Sequence, residues 1–270
     1  MMTRRFLILV TASMLAGFLT SVSAQNADQL TKEEISNAEV VDHISFPIPG
    51  ELFTALDKHG KPDWSAQFRT PIAAIYTNRT QIALNLGGLI ADGYLAVEAQ
   101  DGQQVKNIAR DIKVISKPLG VEQDLLNRAN SIIDFAEKGN WDTLTEELEA
   151  VQNEVVIAML QHQDKELVTM VMLGGWVRGT EILSSHLSTH YKPEAAKLLR
   201  QPKIVDFFVK RLADMPKKVT NSSFMNKIRL SLFDLRKAVT FPNEAIPTAE
   251  EVKKIAEIAA NISNIIATKE

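Results

Sequence analysis

The stretch "MVMLGGWVRGTE", residues 170–181, decides how this chain is read. It is apolar enough for a helix interior, yet Gly174, Gly175 and Gly179 lie in it and Arg178 stands directly beside the last. Glycine costs a helix interior about 1 kcal/mol relative to alanine, so three of them need a reason. A second stretch, "ALNLGGLIADGY" (83–94), carries Gly87 and Gly88 in the same kind of context.

Charge counts supply the reason. No charged residue occurs from Thr80 to Ala91 or from Leu167 to Val177, in a chain that is 23% charged. A surface helix needs a wet face, so a helix that is apolar all round is a buried one. The two runs therefore mark central helices, expected at about 71–100 and 165–190, with amphipathic helices around them. Gly87, Gly88, Gly174, Gly175 and Gly179 are expected to mark a close crossing, where absent side chains let two backbones approach and contact offsets the lost propensity.

The rest of the chain reads as helix almost throughout. Thr31-x-x-Glu34 and Thr248-x-x-Glu251 are capping boxes. Pro47 and Pro49 precede a short helix stopped at Gly60, and Thr70 followed by Pro71 reads as the cap and first turn of the first central helix. Further helices are expected near 103–117, 121–138 and 202–213. Asp142 and Asp164 read as caps of helices running to about Gln163 and His190, and Asn221 or Ser222 as the cap of a helix to about 239. No alternating run of β-branched residues reads as a strand. The expected class is all-α, a multi-helix bundle forming a single domain over 25–270.

Residues 1–24 read as a secretory signal peptide: Arg4 and Arg5, an apolar run Phe6–Val22, then the small residues Val22 and Ala24 before Gln25. The run is shorter than the roughly 20 residues a membrane span needs. The chain has no cysteine, hence no disulfides and no lipid attachment through a cysteine. The expectation is an exported protein, periplasmic or secreted, that does not span the membrane once the signal is removed. Removal of Arg4 and Arg5 takes the formal charge from −3 to −5.

That total hides a separation. Residues 121–166 hold eleven acids and three bases, a local −8, while 192–237 hold twelve bases and four acids, a local +8. A basic tract can serve an anionic partner, but interleaved aromatics are lacking and the chain reads as exported. Nucleic acid is not the expected partner; two halves facing each other with complementary charge is the expected arrangement.

Candidate chemistry is sparse. Asn78, Gln81, Asn85, Gly88 and Asp92 recur at steps of three and four on one face of the first glycine helix. That stripe is either a solvated edge or an inward track whose amides must be hydrogen-bonded, because unpaired buried amides are costly. Arg79 shares a face with Ile72, Ile75, Ile82 and Leu86, so its guanidinium calls for an internal acid. His186 and His190 sit one turn apart, but Leu187 stands where a zinc protease has its glutamate. No metal, cofactor or catalytic residue is assigned, and Ser184-Ser185 lacks the glycine frame of a nucleophile elbow.

The candidate binding residues are Asn85, Asp92, Trp176, Arg178 and Glu181. Asp92 lies four residues past Gly88 and Arg178 four past Gly174, about 6 Å in each case at 1.5 Å per residue. Three helices intervene, so reversal at each connection makes the central pair parallel and brings Asp92 level with Arg178. An ion pair is expected there, with Glu181 competing one turn along. The ligand is expected to be a small molecule or a protein; an enzyme with an unfamiliar polar site, or a purely structural envelope protein, are the alternatives.

The blocks "FPIPGELFTALD" (46–57), "ALNLGGLIADGYLA" (83–96) and "GGWVRGTEI" (174–182) together resemble a family of uncharacterised, exported all-helical bacterial proteins. The resemblance implies export and a helical fold. It carries no activity, and where that pattern often has an acid this chain has Arg178.

Overall fold

The computed structural model describes residues 48–70 and 76–269. All its regular structure is helical, with no strand among the described residues. The signal segment, the Thr31–Glu34 box, Pro47 and Pro71 lie outside them.

Helix α1 (Pro49–Asp57) begins at Pro49, whose fixed φ suits a first turn. Its C-terminal side is closed by Gly60 at φ 118°, a left-handed conformation that glycine adopts without strain. Helix α2 (Arg79–Glu98) starts later than the Thr70-Pro71 signal suggests, since Tyr76, Thr77 and Asn78 are not helical. The cap is Asn78, whose side-chain oxygen accepts from the backbone N–H groups of Thr80 (2.9 Å) and Gln81 (3.4 Å).

Asp101 caps α3 (Gly102–Ser116) in the same way, accepting from Gln103 and Gln104 at 3.0 Å. Helix α4 (Glu122–Lys138) ends at left-handed Gly139, and α5 (Trp141–Gln161) follows with Asn140, not Asp142, at its cap position. Helix α6 (Lys165–Thr189) is the second central helix. Beyond it come α7 (Pro193–Ala196), α8 (Pro202–Asp214), α9 (Lys217–Thr220), α10 (Ser223–Ala238) and α11 (Ala249–Ala267). Ser222 caps α10 through Met225 N–H, and the Thr248–Glu251 box opens α11 as expected.

Helices α2 and α6 are buried along almost their whole lengths and pack on each other more extensively than any other pair. They are parallel: Arg79 at the start of α2 pairs with Asp164 at the start of α6, a sequence separation of 85, and Asp92 pairs with Arg178 further along, a separation of 86. A constant offset along both helices requires a common direction. Arg79 is not an internal cation, however. It sits at an open end with half its side chain exposed, and Asp164 is spent on it rather than on capping α6.

The crossing belongs to three of the five glycines. A Cβ on Gly87 would overlap the Val171 carbonyl oxygen, one on Gly174 would overlap that of Leu84, and one on Gly175 would lie 3.3 Å from the Gly87 carbonyl oxygen. Gly88 makes room instead for Arg69, whose Nη2 would lie 3.1 Å from a Cβ there. Gly179 faces α1, at Leu52 and Pro49. Both are corrections to the reading of all five as one crossing.

The charged regions do not face each other. The acidic α4–α5 hairpin packs mainly on α3 and α2, whereas basic α8 and α10 pack mainly on each other, on α6 and on α11. Each region has internal ion pairs, Arg128 with Glu147 and Glu154 in the acidic hairpin and Arg236 with Asp206 in the basic group, and the acidic region also pairs with Arg79 through Asp164 and with Lys106 through Glu137. Of these helices α5 and α8 reach the central pair, while α4 packs on α3 and α5, and α10 on α8 and α11.

Candidate functional site

The polar stripe on α2 is inward and serves two different purposes. Gln81 and Asn85 are each 1% exposed. Gln81 Nε2 donates to the carbonyls of Ile266 (3.0 Å) and Thr268 (2.7 Å), and Asn85 Nδ2 donates to Ile266 (2.8 Å) and to Gln81 of its own helix (2.9 Å). Tyr76 adds a bond from its hydroxyl to the Ala267 carbonyl at 2.8 Å. The last carbonyls of a helix have no intrahelical donor; here the end of α11 is buried against α2 and capped by these side chains. Asn85 is thus a structural cap of α11, and it does not line the cleft beside Asp92.

Trp176 is likewise removed from the candidate set. It is 3% exposed, its Nε1–H donates to Gln201 Oε1 at 2.7 Å, and its ring lies 5.6 Å from that of Phe208. It belongs to the core between α6 and α8.

Asp92, Arg178 and Glu181 do come together. Arg178 Nε donates to Asp92 Oδ1 at 2.7 Å, Nη1 meets Glu181 Oε2 at 2.9 Å, and Nη2 donates to the Gln67 carbonyl at 2.8 Å. Burial alone would depress the Arg178 pKa; Asp92 and Glu181 outweigh it through charge and hydrogen bonding, and the group is held above its ordinary value. Glu181 does not compete with Asp92 for Arg178, because the guanidinium fork serves both at once.

A fourth member went unseen in the sequence. Arg69 Nε donates to Asp92 Oδ2 at 2.9 Å, and its Nη2 lies 2.6 Å from the same oxygen. Asp92 is therefore clamped between two guanidinium groups, and the network of Arg69, Arg178, Asp92 and Glu181 is neutral overall. Arg69 lies in the irregular segment after the 3-10 turn Ser65–Gln67, where helical periodicity carries no information about direction. The one available signal was Gly88, a glycine adjacent to the crossing glycine whose space Arg69 uses.

Beside this network opens a cleft of about 320 Å³ between α2, α3 and the 68–70 segment. Asp92 and Arg69 form part of its wall, with Asp111, Arg110, Gln104 and Asn107 from α3 and the apolar Phe68, Leu89 and Ile108. Of the five candidate binding residues only Asp92 lines it; Arg178 and Glu181 act on it through Asp92. Burial pushes the Asp111 carboxyl above its usual range, partly offset by Arg110. The α3 residues carry no signal of a site in the sequence, because Gln104, Asn107 and Asp111 are ordinary polar positions of an amphipathic helix.

At the far end of α6 the rings of His186 and His190 stack with centroids 4.8 Å apart. Burial, then the neighbouring His190 and Lys192, hold the His186 pKa below its ordinary value. No third His, Cys, Asp or Glu joins them in a metal-sized group among the described residues.

The fold and site thus define an all-α protein with a buried, charge-neutral ion network on the wall of a small polar cleft. No family model, no curated protein and no solved structure matches the chain.

Proposed function

We propose that this chain is an exported, non-catalytic helical protein that binds a small polar ligand in the cleft beside Asp92. One observation carries the reading: the buried ion network is not sealed on every side, because Asp92 and Arg69 stand on the wall of an opening. A structural envelope protein would need only the glycine contact and the helix caps. Here Arg69 and Asp111 border about 320 Å³ of space next to the central helices. That volume lies at the lower end of the roughly 300–1,000 Å³ of small-molecule sites, and its mixture of apolar wall with a few polar groups fits them.

The same geometry weighs against catalysis by these residues. Both Asp92 oxygens are taken by guanidinium donors, at 2.7 and 2.9 Å, so the Asp92 carboxylate is not free to act on a substrate as a base. The signal-like start and the three sequence blocks resembling exported helical bacterial proteins support the compartment.

The test is a protein-observed NMR screen of sugars, organic acids, amines and amino acids against the chain lacking residues 1–24. Saturable shifts of the Gln104 and Asn107 side-chain amides are expected with at least one class. Shifts confined to other surfaces, or none with any class, would overturn the reading.

A further inference from the structure

The cleft's charges come in matched pairs. Arg69 and Arg110 oppose Asp92 and Asp111 on its wall, and Arg178 behind them is matched by Glu181. A ligand with net charge would bring an uncompensated ion into a half-buried place, which is costly. A ligand carrying one charge of each sign would not.

Hydrogen-bonding capacity narrows the choice. Asp92 is spent on the two arginines, and Asn107 Oδ1 already accepts from Gln103 (2.9 Å) and Arg110 (3.3 Å). Arg69 meets Asp92 with Nε and Nη2, which leaves its Nη1 without a hydrogen bond among the described residues. Nor does the Asp111 carboxylate or the Gln104 amide make one there. The groups with capacity left are thus two guanidinium groups, Arg69 through Nη1 and Arg110 through Nε and Nη2, one acid, Asp111, and neutral groups on Gln104, Asn107 and Thr70, backed by Phe68, Leu89 and Ile108. Arg110 neighbours Asp111, which leaves Arg69 as the cation set apart from the acid.

Resting on the cleft as a ligand site, we infer that it takes a small zwitterion of the amino-acid class. The ligand carboxylate sits on Arg69, its ammonium on Asp111, and a short aliphatic side chain lies against Phe68, Leu89 and Ile108. A guanidinium is suited to a carboxylate because its planar donors match the two oxygens. Burial raises the Asp111 carboxyl above its ordinary range, and an ammonium beside it would favour the charged form. Gln104 is left to bridge either pole.

Three probes separate the poles: L-valine, isovalerate (the same skeleton without the amine) and isobutylamine (the same skeleton without the carboxylate). In NMR titrations, valine is expected to shift the Gln104 and Asn107 side-chain amides saturably, and each analogue to bind about tenfold more weakly or worse. Asp111→Asn is expected to weaken valine by about the same factor and to leave isovalerate unchanged. An analogue binding as tightly as valine overturns the zwitterion, as does an Asp111→Asn chain that holds valine undiminished. Valine silent while other compounds of the screen shift the same amides overturns the ligand class and leaves the cleft a binding site. Silence from every compound removes both.

Discussion

A methyl group on Gly174 would land on the Leu84 carbonyl oxygen, and one on Gly179 would touch Leu52 Cδ1 at 3.4 Å, an ordinary contact. The two glycines look alike in sequence, yet their substitutions should differ. Gly174→Ala, and Gly87→Ala opposite it, force two backbones apart and are expected to cost about 1–3 kcal/mol or more, as overpacking does. Gly179→Ala gains up to about 1 kcal/mol of helix propensity and should be close to neutral. Urea unfolding measures all three, and equal losses at Gly174 and Gly179 would contradict the geometry. The Asp92–Arg178 pair belongs to the same scale. Both side chains are nearly buried, at 10% and 4% exposure, but Arg69 still holds Asp92 and Glu181 still holds Arg178 when the other is removed, so each single substitution should cost less than the roughly 3–5 kcal/mol of a stranded buried charge. A cycle of Asp92→Asn and Arg178→Met should still be non-additive; additive losses would mean that the two do not share their energy. This pair was legible because the glycines fix the level at which the helices meet, and a charge four residues beyond each patch has one place to go. Arg69 was not, since a loop residue has no such ruler.

At the scale of elements, helix caps decided where sequence reading succeeded. Ser222 and the Thr248–Glu251 box act as their sequence suggests, since each needs only neighbours within three residues. Thr70-Pro71 misled because Ile72 and Ile75 continue the helical spacing backward, while Asn78 caps α2 seven residues beyond Pro71. Two buried amides of that helix close the end of α11, a contact spanning 181 to 187 residues that no local pattern encodes. Asn85→Ala and Gln81→Ala would each leave carbonyls of a buried helix end short of a donor, at about 1–3 kcal/mol apiece. Their distinguishing mark is local. Amide hydrogen exchange in the last turn of α11 should quicken more than in α4, and uniform quickening would show global destabilisation without a specific cap.

Across the whole molecule, α2 and α6 form a neutral spine, and opposite charge is displaced to its two flanks. An acidic hairpin and a basic helical group with local charges of −8 and +8 would be expected to neutralise each other only if they touched; packing each on the spine keeps both hydrated. The sequence showed the imbalance but not its placement, because charge counts carry no information on which apolar face each helix buries. No described helix is long and apolar enough to cross a membrane. Whether Phe6–Val22 is removed or kept is a separate question. The basic residues before this run, its 17-residue length and the small Val22 and Ala24 at its end match a segment that is threaded and cut. With no cysteine, no thioether lipid can replace it as an anchor. Intact-mass measurement of the chain recovered after export should find it beginning near Gln25 with a formal charge of −5, Arg4 and Arg5 having left with the signal. Exported material that retains Phe6–Val22 would show that the run is an anchor, and would place the cleft beside Asp92 at a membrane surface instead of in free solution.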